Sequence, residues 1–170
     1  SENIGEEWLV NLNQLEGLTA FAEDVAFQDA WEAAKDVNKM VLARIIRTEL
    51  GMEVDPNAMF DVQVKRIHEY KRQLLNILSV IARYFRIRDS GAADTVPRTV
   101  LLGGKAAPGY DMAKRIIRLA NDVGAVINAD PRTRDQLRLI FLPNYRVSLA
   151  ERIFPASDLS QQVSTAGTEA

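Results

Sequence analysis

The chain has 170 residues, enough for one domain with a core of its own, and its 47% apolar and 26% charged residues are ordinary for a soluble globular protein. A net charge of -2 argues against a general nucleic-acid binder, so any anion binding must be local. The single histidine, His68, excludes a histidine-rich metal site; the lack of cysteine excludes disulfide and thiolate chemistry; and no apolar run approaches the roughly 18 residues that cross a bilayer.

The opening residues, Ser1 to Glu7, are polar and acidic, unlike a secretory leader. With no cysteine, this fits a reducing, cytoplasmic setting. The first fifty residues read as helical: Phe27, Trp31, Ala34, Val37, Val41 and Ile45 recur at spacings of three and four. Gly51 is a natural stop, and Asp55-Pro56-Asn57 is a turn. From Phe60 the period becomes two, with Phe60, Val62 and Val64 alternating with Asp61, Gln63 and Lys65, which predicts a strand. A helix follows with Leu74, Leu78, Ile81 and Phe85 on one face, widened by Leu75, Ile77 and Tyr84, ending near Asp89-Ser90-Gly91. Residues 99–102 form a second strand running into Gly103-Gly104. Asp111 is placed to cap a helix carrying Met112, Ile116, Leu119, Ala120 and Val123, with Gly124 at its end. Residues 137–142 are apolar enough for a strand buried on both faces. Residues 146–154 read as a last helix leading into a short strand around residues 153–156. Trp8, Trp31 and Phe85 are expected in the core.

Alternating strands and helices predict an α/β fold, a Rossmann-like parallel sheet with flanking helices, preceded by a helical segment. The expected division is a lead-in over residues 1–57 and a partial sheet domain over residues 58–170. Ligands of such sheets sit at the carboxyl ends of the strands, and three ends offer suitable groups. The first carries Lys65, Arg66, Lys71 and Arg72, four cations within eight residues where a strand meets a helix. Cations oppose the helix dipole there, so a bound anion would make sense of them; a solvated basic turn is the competing reading. The second carries Gly103-Gly104-Lys105, open to close ligand approach or simply a tight turn, and it is neither a Walker loop nor a G-x-G-x-x-G motif. The third carries Tyr145-Arg146, with Arg146 either at a ligand or on the surface. His68, inside the basic cluster, suits an orienting, hydrogen-bonding role better than that of a general base.

The segment VQVKRIHEYKRQLLN (residues 62–76) is similar to the most recognisable stretch of the α-glucan phosphorylases (glycogen, starch and maltodextrin phosphorylases). GGKAAPGYDMAK, FLPNYRVSLAE and PASDLSQQVSTAGTEA resemble three further segments of that family in the same order, and Ile4-Gly5-Glu6-Glu7-Trp8 resembles its lead into this domain. The resemblance implies a fragment of the C-terminal domain of a GT-B glycosyltransferase that moves glucosyl units from an α-1,4-glucan to inorganic phosphate, giving glucose 1-phosphate. It implies pyridoxal phosphate as cofactor, acting through its phosphate group, and a cytoplasmic, allosteric homodimer as the parent.

By motif position, the resemblance assigns the substrate phosphate to Arg66 and Lys71 and the cofactor phosphate to Lys65. It gives glucosyl hydroxyls to Tyr70 and Glu169, with His68 beside them, and the cofactor pocket to Tyr145 and Arg146. Tyr110 matches an aromatic at the site mouth where purine-like inhibitors stack. In the family TAGTEA runs on into a glycine-rich loop and the Schiff-base lysine. The expectation is therefore a chain without its covalent anchor, inactive alone and prone to self-association, with the remainder of the phosphorylase chain as partner. The competing reading is a free-standing phosphate or sugar-phosphate binding module.

Overall fold

The computed structural model describes residues 2–91 and 96–169. It divides into two compact units, Ser1–Val37 and Asn38–Ala170.

The first unit holds two 3-10 segments, Glu7–Leu9 and Leu12–Phe21, and the start of helix α1, Val25–Leu50. Asp24 begins α1 by accepting from the backbone N–H groups of Ala26 (2.9 Å) and Phe27 (3.3 Å), satisfying donors the first turn leaves free. The rings of Phe21 and Phe27 pack at 5.6 Å. Trp31 is 59% exposed and Trp8 only partly covered, so neither is the core residue its size suggested.

In the second unit, α1 buries Lys39, Leu42 and Ile46 rather than the Val37–Val41–Ile45 stripe. The buried face is rotated by about one residue because Lys39 is drawn inward to Asp158 at 2.8 Å. Gly51 ends the helix as expected, with φ +66 and its N–H on the Arg47 carbonyl. Four strands follow: β1 Met59–Val64, β2 Arg98–Gly103, β3 Leu137–Leu142 and β4 Leu159–Ser160. They pair in parallel in the order β3-β2-β1-β4. Helices α2, Gln73–Ser90, and α3, Asp111–Ala129, are the crossovers from β1 to β2 and from β2 to β3, and α4, Val147–Ala156, leads into β4.

The sheet has an apolar core on each face. One joins Val100, Leu102, Leu137 and Leu139 to Ile77, Val80, Tyr84, Ile116 and Ile127 of α2 and α3. The other joins Phe60, Val62, Leu101 and Ile140 to Leu42 and Ile46 of α1 and to Leu149 and Ile153 of α4. The alternation in β1 is real, yet its polar face is buried too: Asp61 is 2% and Gln63 1% exposed.

Several details differ from the sequence reading. The buried face of α2 is Gln73, Asn76, Ile77, Val80, Tyr84 and Ile87, while Leu74, Leu78 and Phe85 point outward. The two amides are pulled in by hydrogen bonds to the β1 region, which turns the leucines to the surface. Gly124 does not end α3; it lies inside it, where a Cβ would stand 2.7 Å from the Leu139 carbonyl, so it permits helix–sheet contact. Asp111 is the first helical residue and Tyr110 precedes it as the cap. Residues 153–156 are helical, and the strand falls at Leu159–Ser160, after Ser157 has left the helix.

Candidate phosphate-gripping site

In the order β3-β2-β1-β4, the chain leaves β1 for β2 on one side and returns as β4 on the other. Such a reversal opens a crevice beyond the carboxyl ends of β1 and β4. Residues 65–72 leave β1 there, and residues 161–169 leave β4 there. The two segments are joined by the Thr165 N–H, which donates to the Tyr70 carbonyl at 2.8 Å.

Lys65 and Lys71 converge on one carboxylate. Lys65 Nζ lies 3.1 Å from Glu169 Oε2 and donates to Gln162 Oε1 at 2.8 Å. Lys71 Nζ pairs with Glu169 Oε1, and Ser164 Oγ donates to Glu169 Oε2. Both lysine side chains are 12% exposed and that of Glu169 27%, so the pair is partly withdrawn from water. Lys71, then Ser164 and Lys65, hold the Glu169 carboxyl down to about 2. The same contact with Glu169 raises the Lys71 ammonium above its usual range. The arrangement is two ammonium groups and a hydroxyl closed around two oxygens, a geometry suited to any oxyanion.

Polar side chains hold the basic turn in shape. Gln63 donates to the Lys71 carbonyl (3.0 Å) and accepts from Asn76 Nδ2 (2.9 Å), which ties the Lys71 backbone to β1. Gln73 donates to the Arg66 carbonyl at 3.0 Å and accepts from the His68 N–H at 3.4 Å. Arg72 turns the chain into α2 with φ 57, a left-handed conformation that an ordinary side chain adopts only at some cost. Gly104 approaches the same turn from β2: a Cβ on it would lie 2.1 Å from the Lys65 carbonyl oxygen. Its smallness therefore serves backbone packing against Lys65, not the approach of a ligand.

His68 accepts from the Tyr70 N–H through Nδ1 at 3.3 Å, capping the 3-10 turn Glu69–Lys71. Its ring lies 4.3 Å from that of Tyr70 and 5.0 Å from that of Tyr110. Tyr110 Oη donates to Glu69 Oε2 at 2.6 Å, which raises the phenol above its ordinary range.

The structure thus brings Lys65, Lys71 and Glu169 into one cluster and His68, Tyr70 and Tyr110 into a second, linked where Lys71 Nζ stands 5.0 Å from the Tyr70 ring. Arg66 is exposed, and its guanidinium has no partner among the described residues. Tyr145 and Arg146 follow β3, two strands from β1 and so roughly 10 Å away. Tyr145 is half-buried, which raises its phenol, and Arg146 bonds Ser148 Oγ at 3.0 Å. Sequence reasoning missed Gln63, Gln73, Gln162 and Ser164. The first two stand in patterns that read as solvent-facing, and the last two follow a strand of two residues, too short to show a period.

Comparison with known proteins fits this geometry. The family model for carbohydrate phosphorylase matches residues 1–170. This chain belongs to the carbohydrate phosphorylase family. Over all 170 residues it is 56% identical to the glycogen phosphorylase of Chlamydia trachomatis serovar D, covering 21% of that protein. It is 55% identical to the muscle form of human glycogen phosphorylase, covering 20% of that protein, and 52% identical to the glycogen phosphorylase of Chlamydia pneumoniae, covering 21%. The chain spans about a fifth of the length of these curated relatives. It is a phosphorylase segment with a Rossmann-like sheet.

Proposed function

We propose that this segment forms the phosphate-gripping wall of an α-glucan phosphorylase active site, with Arg66 and Lys71 holding the substrate phosphate and Lys65 between it and the cofactor phosphate. The observation that carries the reading is the convergence of Lys65 and Lys71 on the single Glu169 carboxylate at the crevice between β1 and β4. That carboxylate stands where an oxyanion would be held. When phosphate enters, Glu169 leaves the lysines and is free to accept from glucosyl hydroxyls, with Tyr70 and His68 beside it. In phosphorolysis the substrate phosphate itself gives a proton to the glycosidic oxygen and then attacks the glucosyl carbon, so the pair of carboxylates found in most hydrolases is not needed and the fixed cations serve to hold and neutralise the phosphate.

The donor set also suits a phosphorylated cofactor. Lys65 and Arg146 are cations at the same edge of the sheet, and Tyr145 offers a half-buried ring. Pyridoxal phosphate bound there would supply a phosphate group able to exchange a proton with the substrate phosphate. Tyr110, with His68, forms the aromatic mouth of the site. In the longer protein the substrates are an α-1,4-glucan and inorganic phosphate, and the assembly is a cytoplasmic homodimer. Residues 58–170 form the partial binding domain, and the 170-residue chain alone, which spans about a fifth of the length of its curated relatives, does not turn over glucan.

The test is Lys71→Ala in the longer phosphorylase chain containing this segment. The expected result is a raised KM for phosphate with a smaller change in KM for maltodextrin. An unchanged phosphate KM overturns the assignment, and glucose 1-phosphate release by the isolated segment at a normal rate overturns its inactivity.

A further inference from the structure

A second cationic cluster lies away from this crevice, on the α2 face of the sheet near the starts of β1 and β2. Arg83 and Arg86 of α2 and Arg98 at the start of β2 line a cavity of about 170 Å³, together with Ser79, Asp61 and Gln161. Gly103, at the carboxyl end of β2, lies five positions beyond Arg98, roughly 16 Å of strand away.

The charges there do not balance. Asp61 is the one carboxylate lining the cavity among the described residues, and both its oxygens are engaged: Oδ2 by Arg98 Nη1 at 2.6 Å, Oδ1 by Gln161 Nε2 at 2.9 Å. Arg83 donates to the Val96 carbonyl at 3.1 Å, a neutral acceptor, and pairs with no carboxylate among the described residues. Among the described residues, three guanidiniums against one carboxylate leave two positive charges on the cavity. The Nε atoms of Arg83 and Arg98 are moreover buried and without a hydrogen-bond partner. A buried charged donor left unpaired is costly, so both atoms call for an acceptor. Burial, and then the charges of Arg98 and Arg86, lower the Arg83 guanidinium from its usual range, against a smaller opposing effect of Asp61.

We infer that Arg83, Arg86 and Arg98 form a second oxyanion site, distinct from the Lys65–Lys71 crevice, that takes inorganic phosphate or the phosphate of a monoester. A phosphate dianion matches the excess of two charges, whereas one carboxylate matches half of it. Its several oxygens suit the N–H forks of arginines approaching from both a helix and a strand. Ser79 adds a hydroxyl to the same wall.

The experiment is a titration of the 170-residue chain with inorganic phosphate, read at the arginine Nε–Hε resonances, with chloride at matched ionic strength as control and acetate as a carboxylate probe. Saturable shifts of the Arg83 and Arg98 signals with phosphate, absent with chloride and weaker with acetate, are expected. In the double variant R83Q/R86Q the phosphate affinity read at Arg98 should fall by about tenfold or more. The conservative pair R83K/R86K retains charge and should lose less. In K71A the Arg98 response should persist, which separates this site from the proposed substrate site. Shifts at Arg98 that do not saturate, that chloride or acetate reproduces, that survive R83Q/R86Q unchanged, or that vanish in K71A would overturn the inference. So would an Nε pair satisfied by water alone.

Discussion

Gly104→Ala tests how the β1–β2 junction shapes the site. The added Cβ would stand 2.1 Å from the Lys65 carbonyl oxygen and 2.8 Å from Ile67 Cδ1. The isoleucine tip can swing away, but the Lys65 carbonyl is backbone and must move by more than an ångström. It is held there by the Lys65 N–H on the Gly103 carbonyl (3.0 Å) and the Ile67 N–H on the Lys105 carbonyl (3.1 Å). Overpacking costs about 1–3 kcal/mol, and losing two hydrogen bonds about 1 kcal/mol each. The expected loss is therefore about 3–5 kcal/mol, with Lys65 displaced from Glu169. Gly109→Ala is the control, since nothing lies within 4 Å of its Cβ position and its φ is not positive; it should be neutral or stabilising by up to about 1 kcal/mol. Urea unfolding of both variants gives the comparison. A G104A midpoint equal to that of the parent, or to that of G109A, would refute the packing argument.

Further expectations concern the same framework. Glu169 has its carboxyl pKa depressed to about 2 in the folded chain, so its clamp is fully present above the ordinary carboxylate range near 4.5 and is lost as pH falls through about 2; a carboxyl carbon signal titrating near 4.5 would show that the clamp does not form. Gln63→Leu leaves Asn76 Nδ2 and the Lys71 carbonyl without their partner and should cost about 1–3 kcal/mol, with weaker phosphate binding; unchanged unfolding would mean that Gln63 does not hold the turn. Thr133 is fully buried with an unpaired Oγ1, so Thr133→Val should be neutral or stabilising by about 1 kcal/mol in thermal unfolding, and a clear loss would reveal an unseen partner.

The alternation of Phe60, Val62 and Val64 and the apolar run of residues 137–142 made the parallel α/β sheet legible, because buried strands carry their signal in consecutive residues. Lys65 and Lys71 were legible as two of four cations within eight residues, with Arg66 and Arg72, but not as a pair meeting on one carboxylate. What the sequence did not disclose was set by contacts distant along the chain. Glu169 reaches Lys65 across 104 positions only because β4, two residues long, pairs with β1. The buried face of α2 was misread because Gln73 and Asn76 look like surface residues until their partners at Arg66 and Gln63 are known. Trp31 shows the converse, a large apolar side chain left 59% exposed.

The central claim is that Lys65 and Lys71 hold phosphate and that Glu169 occupies their site until it arrives. Its most direct test is a phosphate titration read at the Lys65 and Lys71 ammonium signals in the parent chain, K71A and Glu169→Gln. The account predicts saturable binding in the parent, loss in K71A, and tighter binding in E169Q, where the competing charge is gone. Equal phosphate affinity in the parent and K71A, or weaker binding in E169Q, would contradict it.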